Sequence, residues 1–282
     1  MIEKFDLPES TKNCTEDFSK YNGEGTLLNK VQQRSLEIMI EFDKICRKND
    51  IKYWLIGGSL IGAVRHNGFI PWDDDIDVAV EHKDIPKIRK ALKSELSTKY
   101  VYQDWTTDEN YFLDSVVKIR DTKSYFPIEV YKGFKEQGLL IDIIPWERIP
   151  SVKMKKWILN INKYPYLKKK ELSILGKTTH TLSGTIIYPF AQIAKFLMHF
   201  YSRVSRSKMW GFSYTFVMSP YTFMRFKEED IFPLKEVMFE GHAFYVPNNS
   251  VNLLKEYFGS DVLNIPPLEK RTTHASNVFF YD

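Results

Sequence analysis

Apolar positions in the first part of the chain follow a helical period and then a strand period. From Leu28 to Ile45 they recur at steps of three and four, which predicts an amphipathic helix of about 20 residues that ends near residues 49–50. Residues 60–66 predict a short helix with Ser59 near its N-cap. The remaining elements predicted from the pattern are helices over 84–96 and 251–258, strands over 52–56, 115–120 and 138–144, a strand that begins within the acidic residues 73–77, and a hairpin over 232–247.

This order of elements predicts an α+β fold, because strands and helices do not alternate regularly as they do in a doubly wound sheet. Prolines at 145 and 150 are expected to close the first block. We expect three segments: residues 1–150 form a catalytic core with an N-terminal helix, 151–229 a basic, aromatic and mostly helical insertion, and 230–282 complete the catalytic domain. Pro189 is expected to interrupt the apolar run over 181–194.

Composition excludes several classes of protein. The 282 residues are 43% hydrophobic and 27% charged, which is typical of a globular chain. Two cysteines cannot form a disulfide framework, so a reducing compartment is expected. The charged N-terminus does not resemble a signal peptide, and no uncharged apolar run is long enough to span a membrane. A cytoplasmic location is therefore expected.

Charge is distributed unevenly along the chain. Residues 151–210 contain twelve lysines and arginines and one acidic residue, a formal charge of +11 in a chain whose total is +4. Such a segment suits an anionic glycan acceptor, or peripheral contact with the anionic inner face of the plasma membrane. A solvated lysine-rich helix face is the simpler alternative. No sequence motif supports nucleic-acid binding, so no nucleic-acid partner is expected.

Acidic residues form the main candidate for chemistry. Asp75 and Asp77 are two positions apart on a predicted strand, so their side chains should leave the same face. Paired carboxylates repel each other unless a divalent cation lies between them, and oxygen ligands suit Mg²⁺ or Mn²⁺. Asp142 lies in an apolar strand and becomes the third ligand if that strand neighbours 76–80; a structural acid is the alternative. Asp73 and Asp74 are expected to support the site or cap an element.

A glycine turn precedes these carboxylates. Gly57 and Gly58 let the backbone approach a phosphate, and the helix start at Ser59 favours an anion. Together with the carboxylates, this predicts phosphoryl transfer from a nucleotide donor. Three alternatives fit less well: a calcium loop lacks the glycine required where Val78 stands, and neither a nucleotide-sugar glycosyltransferase nor a dehalogenase-like phosphatase explains the glycine turn.

Residues 57–80, GGSLIGAVRHNGFIPWDDDIDVAV, closely resemble the characteristic segment of the LicD family, which includes bacterial phosphocholine transferases and is related to fukutin and fukutin-related protein. The resemblance extends to VKIRD (117–121), IDIIP (141–145) and the C-terminal block with its P-x-x-K-R-x-x-H pattern (267–274). Residues 151–229 are poorly covered. The resemblance implies a nucleotidyltransferase fold of the DNA polymerase β type, a mixed sheet flanked by helices.

In that family pattern, Gly58 and Ser59 contact donor phosphates, and Asp75, Asp77 and Asp142 bind the metals and are catalytic. The resemblance implies transfer of a phospho-alcohol group, most simply phosphocholine from CDP-choline, to a hydroxyl of a cell-surface glycan or its lipid-linked precursor, with release of CMP. Such acceptors include lipopolysaccharide, teichoic acid and capsular polysaccharide. Arg65, His66 and Lys118 are further candidates for contact with the donor phosphates, and the alternative for each is a structural surface or helix-end cation. Lys270, Arg271 and His274 form a C-terminal cationic group that would bind the nucleotide if the C-terminus folds back over the cleft; a solvated tail is the alternative.

Two other functions stay open at this point. One is a nucleotidyltransferase that uses a nucleoside triphosphate on a sugar or small molecule, and the other is a catalytically silent glycan-binding homologue. The presence of all three acidic residues argues against the silent homologue. Release of CMP rather than pyrophosphate would distinguish the phosphotransferase from the nucleotidyltransferase.

Overall fold

The chain folds into two units, and their boundary lies within one strand. The computed structural model describes residues 2–113, 116–166, 174–216, 221–273 and 277–281. The first unit comprises Met1–Pro145 and Glu228–Asp282, and the second comprises Trp146–Lys227. The C-terminal segment therefore returns to the unit that contains the N-terminal half of the chain.

Helices and strands alternate irregularly along the described chain, as an α+β fold requires. The α-helices are α1 (Glu9–Lys12), α2 (Ser19–Asn22), α3 (Leu27–Lys48), α4 (Gly57–His66), α5 (Ile85–Glu95), α6 (Val152–Tyr166), α7 (Ile174–Val204), α8 (Glu228–Ile231) and α9 (Ser250–Phe258). The strands are β1 (Tyr53–Leu55), β2 (Asp77–Glu81), β3 (Tyr100–Gln103), β4 (Val117–Asp121), β5 (Ser124–Tyr125), β6 (Leu140–Arg148), β7 (Met209–Phe212), β8 (Phe226–Lys227), β9 (Lys235–Phe239), β10 (His242–Val246) and β11 (Phe279–Phe280).

The central sheet of the first unit has the strand order β1-β2-β6-β4-β3. The β1–β2, β3–β4 and β4–β6 pairs are antiparallel, and the backbone N–H of Asp142 on β6 donates to the carbonyl of Ile76 beside β2, at 3.0 Å. Helix α3 contacts β4 and α5 through its apolar stripe, in which Val31, Ile38 and Phe42 are fully buried. The predicted periodicity of α3 is confirmed, because Leu28, Val31, Ile38, Phe42 and Ile45 are all buried.

The C-terminal segment completes the first unit. Strands β9 and β10 form the predicted hairpin, whose turn places Glu240 and Gly241 at positive φ. Strand β10 contacts β1, and α9 contacts α4. Short strands β5 and β11 pair with each other, so the chain end also lies against this unit.

The second unit has its own core. The end of β6, from Trp146, pairs with β7, and β7 pairs with β8. Ile149, Ile158 and Tyr214 are buried together, and side chains from both long helices pack on them. Glu147 is buried here, and its carboxylate accepts hydrogen bonds from the Ser213 hydroxyl at 2.7 Å and from the backbone N–H of Tyr214 at 2.9 Å.

Three boundaries differ from the sequence prediction. Strand β2 begins at Asp77, so Asp75 precedes the strand instead of sharing its face. Strand β6 continues through Pro145 to Arg148, because its partner there is β7. Helix α7 continues through Pro189, which was expected to interrupt it. Within the described residues, no helix combines the length and apolar character needed to cross a membrane.

Candidate functional site

The start of helix α4 is joined to the start of strand β2. The hydroxyl of Ser59 accepts a hydrogen bond from the backbone N–H of Asp77 at 2.8 Å, and Ser59 is buried. Ser59 was expected near the N-cap of α4. The structure instead has Ile56 at the N-cap, and Ser59 lies within the first turn of the helix. This bond fixes the glycine turn against the acidic segment.

Both glycines of the turn make room for carboxylates. Gly57 has φ +58°, a conformation that glycine adopts without steric cost, and a Cβ there would lie 3.3 Å from Oδ2 of Asp77. A Cβ on Gly58 would lie 2.5 Å from Oδ2 of Asp73. The N-terminal turn of α4 therefore faces the carboxylates of Asp73 and Asp77 at close range.

Repulsion between acidic side chains dominates the electrostatics of the site. Burial, together with the nearby charges of Asp75 and Asp142, raises the pKa of Asp77 well above its ordinary value. Asp75 is exposed, whereas Asp77 and Asp142 are half-buried. The structure thus brings together the three acidic residues predicted as metal ligands, although they come from a loop and two strands.

Asp73 is a residue whose position the sequence did not predict. Burial and the charges of Asp75 and Asp74 raise the pKa of Asp73 to about 8. The other aspartates of the DDDID run carry the same charge. The backbone conformation of the loop determines which of these side chains lies beside α4. The run itself signalled an acidic site, but the spacing could not assign this residue.

Lys118 lies opposite Asp142 in the sheet. The two residues are register partners on β4 and β6, and the ammonium group of Lys118 forms an ion pair with the Asp142 carboxylate. The Lys118 side chain is fully buried, and burial lowers its pKa. Lys118 was predicted to contact donor phosphates; the structure shows it as the partner of an acidic site residue, and the phosphate contact stays a prediction.

An aromatic ring covers this ion pair. The Lys118 ammonium lies 4.3 Å from the centre of the Tyr131 ring, and the Arg120 guanidinium lies 5.7 Å from it. Burial and the charge of Asp142 raise the pKa of Tyr131. Tyr131 was not predicted, because it lies in a short 3-10 helix (Glu129–Tyr131) and no sequence spacing relates it to the acidic segment.

Arg65 and His66 connect α4 to the C-terminal segment. The Arg65 guanidinium donates to the carbonyls of Val262 and Asn264 at 3.1 and 2.9 Å, and its Nε lies 2.9 Å from Nε2 of His66. Burial and the charge of Arg271 lower the pKa of Arg65 to about 10, whereas burial and Arg65 lower that of His66 to about 3. These contacts give both residues a structural role, and their predicted donor contacts stay predictions.

Arg271 is held by the N-terminal segment. It forms a two-point ion pair with Glu16 at 2.7 and 2.9 Å, and its guanidinium lies 4.7 Å from the Trp72 ring centre. Lys270 is exposed to solvent. His274 lies outside the described residues. Arg271 therefore lies beside the tryptophan that precedes the acidic run, and the nucleotide contacts of Lys270 and Arg271 stay predictions.

Comparison with known families shows which proteins the chain resembles. Residues 50–172 match the family described as "LicD/FKTN/FKRP, nucleotidyltransferase domain", and the predicted resemblance to the LicD family is confirmed. The matched range contains the glycine turn, the acidic run and Asp142.

Individual relatives support the same family. The "Lipopolysaccharide cholinephosphotransferase LicD" of Haemophilus influenzae is 27% identical over 269 residues, which cover 85% of this chain and 92% of that protein. The "Ribitol 5-phosphate transferase FKRP" of Homo sapiens and that of Mus musculus are each 51% identical over 35 residues, 12% of this chain and 7% of those proteins. These relatives are named transferases of phosphate-linked alcohols.

Proposed function

We propose that this protein is a metal-dependent phosphotransferase that moves a phospho-alcohol group from a CDP-alcohol to a hydroxyl of a cell-surface glycan or its lipid-linked precursor. The first candidate donor is CDP-choline, as the name of the Haemophilus influenzae relative suggests. The observation that carries the proposal is the convergence of Asp75, Asp77 and Asp142 beside the glycine turn of α4. In this proposal the first unit has the nucleotidyltransferase fold of the DNA polymerase β type.

The acidic residues fit a hard divalent cation such as Mg²⁺ or Mn²⁺. Carboxylate oxygens are the ligands these ions prefer. Burial, together with the charges of Asp75 and Asp142, raises the pKa of Asp77, and a bound cation would offset that accumulation of negative charge. Asp75, Asp77 and Asp142 would hold the metal. When bound, a divalent cation neutralises charge on the phosphoryl oxygens and on the entering and leaving oxygens.

The chain's own residues would position the reactants. The backbone N–H groups and dipole of the α4 N-terminus, at Gly57, Gly58 and Ser59, favour the donor phosphates. The acceptor hydroxyl oxygen forms a bond to the phosphorus that carries the alcohol, the bond from that phosphorus to the bridging oxygen breaks, and CMP leaves. Asp142, as a carboxylate, accepts the hydroxyl proton. Lys118 holds that carboxylate in place through their ion pair.

A nucleotidyltransferase reaction is the second candidate. The description of the matched family domain favours it, because that description names the nucleotidyltransferase class. The same carboxylates and glycine turn would then act on a nucleoside triphosphate, and pyrophosphate would leave in place of CMP. The identity of the leaving group therefore separates the two reactions.

The test is a calorimetric titration of the purified protein with CDP-choline, CDP-ethanolamine, CDP-ribitol, CDP-glycerol, CTP and UDP-glucose in the presence of Mg²⁺. We expect saturable, metal-dependent binding of one CDP-alcohol, and loss of that binding in Asp75→Ala/Asp77→Ala. The matched control is Asp6→Ala/Asp261→Ala, which removes two exposed carboxylates from the same unit.

Three results would contradict the proposal. Binding of CTP alone would favour the nucleotidyltransferase, and binding of UDP-glucose alone would favour a glycosyltransferase. Retention of metal-dependent binding in Asp75→Ala/Asp77→Ala would show that the acidic residues do not hold the cation.

A further inference from the structure

Helix α7 carries a continuous apolar face that is open to solvent. We call this the α7 apolar face; its members, all exposed, are Phe190, Ile193, Phe196, Leu197, Phe200, Tyr201 and Val204. At 100° per residue these positions fall within one arc of the helix, and at 1.5 Å per residue the arc is roughly 20 Å long. Phe196 is 68% exposed and Phe200 is 56% exposed, so the rings lie outside the core.

The opposite side of the same helix already packs on the core of the second unit. Ala191 and Ser202 are buried, and Ala194 and Met198 pack on the cluster around Ile158. The helix is therefore apolar on both sides. A surface helix of a monomeric protein normally has one apolar side, which faces the core, and one polar side, which faces solvent. Contiguous exposed apolar surface of this kind marks an interaction site.

The charge of the second unit indicates the kind of partner. Residues 146–227 contain fifteen lysines and arginines and two acidic residues. Glu147 is buried and Glu171 lies outside the described residues, so the described surface of this unit carries no carboxylate. Exposed cations include Arg203, Arg206 and Lys208, which lie at and just beyond the C-terminal end of α7.

We propose that the α7 apolar face docks the protein on an anionic phospholipid bilayer. An apolar helix face beside exposed lysine and arginine side chains lies in the plane of a membrane interface, where the acyl chains take the rings and the head groups take the cations. A second copy of the chain is a poorer occupant, because pairing this unit with itself would bring two strongly positive surfaces together. This proposal is independent of the reaction proposed for the first unit.

The test is flotation of the full-length protein with lipid vesicles. We expect binding to vesicles of mixed phosphatidylglycerol and phosphatidylcholine, little binding to phosphatidylcholine alone, and weaker binding at high salt. Phe196→Asp/Phe200→Asp should reduce the partition coefficient at least about tenfold, since burial of one phenylalanine ring corresponds to about one order of magnitude.

A matched control replaces two equally exposed apolar residues of the first unit. Leu268→Asp/Phe279→Asp introduces the same charge at residues that are 62% and 58% exposed, and it should bind vesicles like the wild type. If Phe196→Asp/Phe200→Asp does not fold, as judged by circular dichroism, Arg203→Gln/Arg206→Gln tests the cationic part of the same surface. That variant should lose selectivity for phosphatidylglycerol.

Several outcomes would overturn the proposal. Unchanged vesicle binding in both variants would show that another surface contacts the membrane. Absence of vesicle binding by the wild type would show that the protein does not dock on the bilayer. A wild-type dimer that becomes a monomer in Phe196→Asp/Phe200→Asp, with no vesicle binding by either, would show that the face joins two copies of the chain. Sedimentation velocity measures that oligomeric state.

Discussion

The hydroxyl of Ser59 accepts a hydrogen bond from the backbone N–H of Asp77 at 2.8 Å. This bond joins the first turn of α4 to the first residue of β2, and so fixes the glycine turn relative to an acidic side chain. Because Ser59 is buried, no solvent replaces the acceptor when the hydroxyl is removed. The position of the glycine turn relative to Asp77 therefore depends on the hydroxyl oxygen of Ser59.

Ser59→Ala should lower the free energy of unfolding by about 1–2 kcal/mol, because a buried backbone N–H loses its partner. Chemical denaturation measures this loss. The control is Ser94→Ala, whose hydroxyl bonds backbone carbonyls at an exposed position on α5 and should matter little. Equal stability of the two variants would show that the Ser59–Asp77 bond does not hold the turn.

Asp77→Asn should stabilise the protein in the presence of a chelator. Burial and repulsion from Asp75 and Asp142 raise the pKa of Asp77, so removal of its charge should raise the melting temperature of the metal-free protein. With Mn²⁺ present the order should reverse, because only the wild type gains from the bound cation.

Thermal unfolding with and without Mn²⁺ measures both effects, and Asp84→Asn is the control outside the acidic cluster. If Mn²⁺ raises the melting temperature of Asp77→Asn as much as that of the wild type, Asp77 is not a metal ligand.

Lys118→Met should be strongly destabilising. It leaves the Asp142 carboxylate without its buried partner, a change that typically costs about 3–5 kcal/mol. The double variant Lys118→Met/Asp142→Leu should recover most of that loss, because it removes the unpaired charge as well. Urea denaturation of the four proteins gives the coupling energy, and an additive double variant would contradict the ion pair.

The stability of the second unit should depend on Lys155. Burial lowers the pKa of Lys155 to about 7 from its ordinary value of 10.5, and its ammonium donates to the carbonyl of Phe212 at 2.6 Å. Between these two pH values the unfolded chain binds more protons than the folded chain, so the free energy of unfolding rises with pH. The expected slope is about 1.4 kcal/mol per pH unit.

Lys155→Met should remove this rise, so that the difference between wild type and variant changes from pH 7 to pH 10. Lys153→Met, at an exposed position on the same helix, should follow the wild type. Parallel stability curves for wild type and Lys155→Met would show that Lys155 titrates normally.

Much of the local structure was predictable because it depends on nearby residues. The stripe of α3 fits the helical period, and the turn at Glu240 and Gly241 separates two alternating runs that form the hairpin. The glycine turn at 57–58 and the acidic run at 73–77 are each defined by residue type and short local spacing, so both could be proposed as site elements without a structure.

Boundaries at long-range contacts were not predictable in this way. Pro145 continues a strand because β7 pairs with the residues that follow it, and Pro189 lies inside a helix. Strand β7 begins at Met209, far from Pro145 in the sequence. The position of Asp75 before β2 likewise follows from where the pairing with β1 begins.

The sequence alone determined the family resemblance, the acidic run and the glycine turn, because residue type and short spacing define them. Tertiary structure decided that Asp142 reaches Asp77, that Lys118 pairs with Asp142, and that Arg65 binds carbonyls of the C-terminal segment. Those contacts join residues far apart in the chain, and strand order and register, which follow from the packing of the whole core, bring them together.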